Sequence, residues 1–223
     1  MNTEKNPLLF EDCLLVVDAT EIESPTVLKR KKRTAIREIR DARRIKTASE
    51  AIEPLTTENE LVGFTKGQFS LIDLLKACVE KIGPSYLTLS TWTANGPEIS
   101  MIADWQHAGK LIESRFLIDA SFARRDPQAA DMLRKRFGLS NVRVSQCHAK
   151  FATFRNDNWK LVLRTSMNLN MNPRFEDFTI ANDPELYDFT ETIMNELFAR
   201  QKEGITMAPG DRSNVGRTFR ENL

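Results

Sequence analysis

A chain of 223 residues, 41% of them hydrophobic, can bury one sizeable core and leaves room for appendages or for two small domains. Its longest apolar runs are far too short to span a bilayer, and Met1 to Asp12 has no apolar signal-peptide core, so neither a transmembrane segment nor secretion is expected. The net charge of +1 conceals a sharp asymmetry along the chain.

From Met1 to Leu28, Glu4, Glu11, Asp12, Asp18, Glu21 and Glu23 face a single Lys5. Between Lys29 and Lys46 the sign reverses: ten basic residues, among them Lys31, Lys32, Arg33, Arg37, Arg40, Arg43 and Arg44, stand against Glu38 and Asp41. Ile36, Ile39 and Ile45 give this block a thin apolar stripe at helical spacing, so a basic helix is expected. Such a helix suits a phosphate backbone, because each neutralised phosphate releases counterions and strengthens binding without reading sequence. A solvated helix paired with the acidic leader is the alternative, and an anionic membrane surface ranks last because the stripe lacks Trp, Phe and Leu anchors. Residues 47–60, polar and containing Pro54, read as a linker. The expected division is therefore 1–60 as leader, basic helix and linker, 61–203 as the folded domain, and 204–223 as a flexible, mildly basic tail.

Within the domain, apolar positions from Leu71 to Ile82 repeat at helical spacing behind a Ser70 cap, and Gly83-Pro84 stops them. Tyr86 to Trp92 reads as a strand, Glu98 to Ala108 as a weaker helix, Lys110 to Asp119 as a strand, and Asp126-Pro127 opens a helix that ends at Gly138. This alternation predicts an α/β fold with helices flanking a mixed, largely parallel sheet. Three widely spaced cysteines, Cys13, Cys78 and Cys147, fit free thiols in a reducing compartment, hence a cytoplasmic setting. Two histidines and no closely spaced cysteine pair give no usual zinc pattern; no metal and no cofactor is expected.

The stretch from Cys147 to Asn182 carries the chemistry. Alternating apolar residues predict a hairpin, His148–Phe154 and Trp159–Arg164 about a turn at Asn156-Asp157-Asn158. Period-two alternation places His148 and Lys150 on one face, where an imidazole attacks phosphorus while the ammonium holds a non-bridging oxygen. Ser166 and Asn168 leave the return strand able to offer a hydroxyl and an amide to the same phosphate.

The order H-x-K, strand pair, S-x-N, asparagine-rich loop, glutamate, apolar strand and an Asp183-Pro184 helix start resembles the phospholipase D superfamily, which includes phosphodiesterases acting on lipids and on nucleic acids. The resemblance implies a phospholipase D-like fold and a catalytic set of His148, Lys150, Ser166, Asn168 and Glu176. It makes His148 the nucleophile that forms a phosphohistidine, and Glu176 the residue that orients it. A second histidine protonates the leaving group in that family. The chain departs from the family pattern at Arg155, which replaces an aspartate, and at Thr165, which replaces the glycine before S-x-N.

A single H-x-K implies that the second histidine comes from a second subunit, in a homodimer whose twofold axis passes through the site. With the basic block, the function expected is a metal-independent nuclease or nucleic-acid phosphodiesterase. A degenerate relative that binds DNA or RNA without cleaving it, and a structural or assembly protein, are the alternatives.

Overall fold

The computed structural model describes residues 23–24, 28, 45–171 and 174–200. The basic residues Lys31, Lys32, Arg33, Arg37, Arg40, Arg43 and Arg44 and the tail from 204 lie outside the described residues. The elements are α1 (Ala48–Ile52), β1 (Glu60–Lys66), α2 (Leu71–Ile82), β2 (Ser85–Thr91), α3 (Gly96–His107), β3 (Leu111–Asp119), α4 (Phe122–Arg125), α5 (Pro127–Phe137), β4 (Val142–Ser145), β5 (Phe151–Arg155), β6 (Lys160–Thr165), β7 (Phe175–Asn182) and α6 (Pro184–Ala199).

Local chemistry accounts for the helix boundaries. The Asp73 carboxylate accepts from both the backbone N–H and the hydroxyl of Ser70, each at 2.8 Å, which closes the start of α2. Gly83 ends that helix at φ +81°, a conformation that suits glycine. Asp126 and Asp183 cap α5 and α6 by accepting from Ala129 and Leu186, each helix having proline at its first position. Residues 47–60 are not a linker. Thr47 and Glu50 form a capping box, and Ala48, Ile52 and Leu55 are buried in the main core.

Seven strands form one sheet in the order β1-β7-β6-β5-β2-β3-β4. The sheet is mixed as expected, but antiparallel pairing dominates: β1–β7, β7–β6, β6–β5 and β5–β2 are antiparallel, and β2–β3 and β3–β4 are parallel. The reason lies in the connections. Helices α3 and α5 supply the crossovers that parallel neighbours need, whereas the short Asn156–Trp159 turn forces β6 back against β5.

The two sheet faces differ. On one, α1, α2, α3 and α5 enclose a large apolar core containing Leu74, Leu89, Phe116, Phe154 and Leu163. Each such side chain contributes roughly 1.5–3 kcal/mol by leaving water. On the other face α6 lies alone over a smaller cluster of Leu117, Cys147, Met194 and Leu197. Polar groups join α6 to the sheet: Arg115 on β3 pairs with Glu191 at 2.5 Å, and Glu191 also accepts from Thr153 at 2.6 Å. Phe198 lies between the guanidinium groups of Arg115 and Arg143, at 4.8 and 4.5 Å. Arg155 stacks on Tyr86 at 4.7 Å, and its charge acts on Tyr187 of α6. The arginine thus helps to seat α6 at the end of β5 remote from His148. Among the described residues no helix is long and apolar enough to cross a membrane.

Candidate active site

The strand directions bring the ends of β1, β2, β3, β4 and β6 and the starts of β5 and β7 to one end of the sheet. Ligands of α/β sheets commonly bind outside the carboxyl ends of the parallel strands. His148 and Lys150 lie at this end, in the segment that joins β4 to β5. The strand starts at Phe151, not at His148. The cause is visible in the backbone bonding: the Cys147 N–H donates to Asp119 Oδ2 at 3.1 Å, and the Ala149 carbonyl accepts from the Ser90 hydroxyl at 3.0 Å. These bonds clamp the chain on both sides of His148 and hold it out of the ladder. Pairing resumes at Lys150, whose carbonyl accepts from the Thr165 N–H at 3.2 Å.

His148 is exposed and Lys150 half-buried. Their side chains meet without a shared strand face: Lys150 Nζ lies 3.3 Å from His148 Nδ1 and donates to the His148 carbonyl at 3.0 Å. An ammonium carries three donors, so others are left for the oxygens of an anion. The Trp92 ring packs 5.8 Å from the imidazole, and the Arg125 guanidinium covers Trp92 at 3.7 Å while donating to its carbonyl at 2.7 Å. Arg125 Nε also donates to the Ser121 hydroxyl at 3.0 Å, and that hydroxyl is bonded to Asp119. One chain of contacts thus runs from Asp119 to the ring beside His148.

Ser166 and Asn168 follow β6 at the same end. Ser166 donates its hydroxyl to the Glu176 carboxylate and accepts from the Asp177 N–H at 3.0 Å, while its own N–H donates to the Asp177 carbonyl at 3.2 Å. The resemblance places Glu176 against the histidine; here its carboxylate holds Ser166. Asn168 is half-buried, with its side-chain oxygen enclosed and without a hydrogen-bond partner among the described residues. Leu169 next to it bridges to Ala94, donating to the Thr93 carbonyl and accepting from the Asn95 N–H, so the S-x-N loop is fastened beside Trp92. Thr165, at the glycine position of the family, caps this turn by donating its hydroxyl to the Asp177 carbonyl at 2.6 Å.

His107, the other histidine, ends α3. The start of that helix adjoins Leu169, and its rise carries His107 roughly 16 Å away. There it lines a depression of about 450 Å³ with Asp104, Gln106 and Arg136, separate from His148.

Ser90, Trp92, Asp119 and Arg125 were not singled out in the sequence as site residues, Trp92 being read there only as the end of a strand. The available signal was position: polar and aromatic residues at the carboxyl ends of strands joined by helical crossovers.

No protein-family model matches the sequence, and no curated protein matches it. Among solved structures, the chain is similar to a polyphosphate kinase from Porphyromonas gingivalis, with TM-score 0.50 and 12% identity over 78% of this chain and 32% of the kinase. It thus spans about a third of that protein's length. A second similar structure is Nuc, a phospholipase D family member from Salmonella typhimurium, with TM-score 0.44 and 16% identity over 62% of this chain and 93% of Nuc. The chain shares its fold with part of that kinase. At these identities the likeness is one of fold alone.

Proposed function

We propose that this protein is a metal-independent phosphodiesterase acting on DNA or RNA, with a site completed by a second copy of the chain. The observation that carries the reading is the contact between His148 and Lys150 at the ligand-binding end of the sheet. In the proposed reaction an imidazole nitrogen of His148 forms a bond to phosphorus, and the bond from phosphorus to the leaving oxygen breaks. Lys150 offsets the charge that builds on the non-bridging oxygens. The leaving oxygen takes its proton from the partner's His148, and water then attacks the phosphohistidine, giving its proton to the partner's His148, now neutral, and freeing the imidazole. His107 stands too far along α3 to be that acid, which is why a twofold mate is invoked. The buried, unpaired thiols Cys78 and Cys147 suit a cytoplasmic setting; burial raises the Cys78 thiol pKa well above its usual range.

The test is His148→Asn in chelator-treated buffer, with labelled DNA, labelled RNA and a chromogenic phosphodiester as substrates. Hydrolysis should fall to background. Activity that survives the substitution, or that requires magnesium, refutes the mechanism, and a monomer in sedimentation at micromolar concentration refutes the shared site. A second reading, a relative that binds nucleic acid without cleaving it, is favoured by one observation: the Glu176 carboxylate is spent on Ser166. Under that reading phosphate binding survives and turnover is absent from the unmodified protein.

A further inference from the structure

The sheet face beneath α6 is only partly covered. From its start beside β6, where Lys160 pairs with Asp188, the helix crosses to β4, where Arg143 donates to the Phe198 carbonyl. β1 and the first half of β7 lie outside this path. Strand alternation turns Gly63 and Thr65 toward the core, so Val62 and Phe64 point to the open side, as does Phe175. These three side chains are 69%, 57% and 68% exposed, and the rings of Phe64 and Phe175 stack with centroids 5.3 Å apart.

Register ties this strip to the candidate site. Phe64 pairs with Asp177, and Asp177 accepts the Ser166 N–H at its carbonyl while donating its own N–H to the Ser166 hydroxyl, so Phe64 stands two strand spacings, about 10 Å, from Ser166. Phe175 directly precedes Glu176, which holds the Ser166 hydroxyl. The rim is cationic: Lys66 lies opposite Phe175, Arg174 precedes it, and Arg164 shares a cross-strand row with Thr179 and Val62, all three exposed. Asp177 is the acidic residue within these rows.

We propose that the strip is a base-stacking platform for single-stranded nucleic acid, holding unpaired bases beside a phosphate seated at Ser166 and Lys150. The ligand class rests on the phosphodiesterase reading above. An open sheet surface with exposed aromatic rings offers π-faces to bases of any sequence, and bases already stacked in a duplex cannot use them. A second copy of the chain is the poorer occupant. A twofold contact would set Lys66, Arg164 and Arg174 near their own counterparts, and pairing along the β1 edge would keep each His148 at least three strand spacings from the axis.

The test measures fluorescence anisotropy of a labelled oligothymidine and of a labelled duplex, using the full chain carrying His148→Asn so that nothing is cleaved. The single strand should bind more tightly. Adding Phe64→Ala and Phe175→Ala should weaken it by about 10-fold or more, whereas Phe64→Tyr with Phe175→Tyr should retain binding because the rings remain. Unchanged single-strand affinity in the alanine variant overturns the platform and leaves the phosphodiesterase reading standing. If neither oligonucleotide binds the His148→Asn chain, the nucleic-acid reading falls and the platform with it. A shift from dimer to monomer in sedimentation of the alanine variant overturns the platform in favour of self-association.

Discussion

Replacing Asp119 by asparagine should loosen the segment that carries His148. Asp119 Oδ1 accepts from the Ser121 N–H at 2.9 Å and Oδ2 from the Cys147 N–H at 3.1 Å. An asparagine has a single side-chain oxygen, so either orientation of the amide turns its NH2 against one of these backbone donors. A lost bond to a charged acceptor in a half-buried place costs on the order of 2 kcal/mol, and in a chain of this size that lowers Tm by about 4–8 °C. Melting followed by circular dichroism measures the first effect. Proton NMR measures the second, since the chain has two histidines and His107, at the far end of α3, serves as internal reference. The His148 ring signals should move while those of His107 stay in place. A Tm within about 1 °C of the unmodified protein together with an unmoved His148 signal would refute the clamp.

Two further predictions concern the scaffold. Burial, followed by the charge of Glu191, pushes the Tyr187 hydroxyl up to about 12. A folded pKa above the unfolded value of about 10 means that the neutral phenol's contribution is intact below pH 10 and is lost as pH rises from 10 to about 12. Tyr187→Phe should therefore flatten the alkaline limb in that window, by up to about 3 kcal/mol at its upper end; urea unfolding across the window gives the comparison, and parallel curves would contradict it. At Gly63 an added Cβ would fall 2.4 Å from Phe178 Cζ, a buried ring set edge-on to Phe69. Gly63→Ala should destabilise by about 1–3 kcal/mol in urea unfolding, with part recovered when Phe178 is also shortened to leucine; no loss would show that β1 yields freely.

What could be read from sequence depended on how local the cause was. α2, α5 and α6 announced themselves through Ser70, Asp126-Pro127 and Asp183-Pro184, because a cap and a periodic face lie within one segment. α1 is five residues long, too short for a period to show, and polar neighbours masked Ile52 and Leu55. β1 was missed because Gly63 interrupts it and because its pairing depends on residues 175–182. His148 and Lys150 meet, but not through the shared strand face that their spacing suggested, since β5 begins only at Phe151, and the clamp that holds their segment was not legible. Ser90 and Asp119 reach this segment from β2 and β3, and no motif links them to it.

The pairing of β1 with β7 also sets an order of events during synthesis. Leu61 faces Ile180 across the ladder, so the strand emerges from the ribosome on the order of a hundred residues before its neighbour exists. Closing so long a loop adds little to the entropic cost of the finished pair, since that cost grows only logarithmically with length. Timing is another matter. β2, β3 and β4 and their crossover helices can assemble from contiguous chain, whereas Val62 and Phe64 wait on an unpaired strand until Phe175–Asn182 arrives. That interval is when the nascent protein is most open to pairing with the wrong edge. The last strand to dock should be the first whose amides exchange with solvent, so the outermost strand is the natural place for the fold to begin to open.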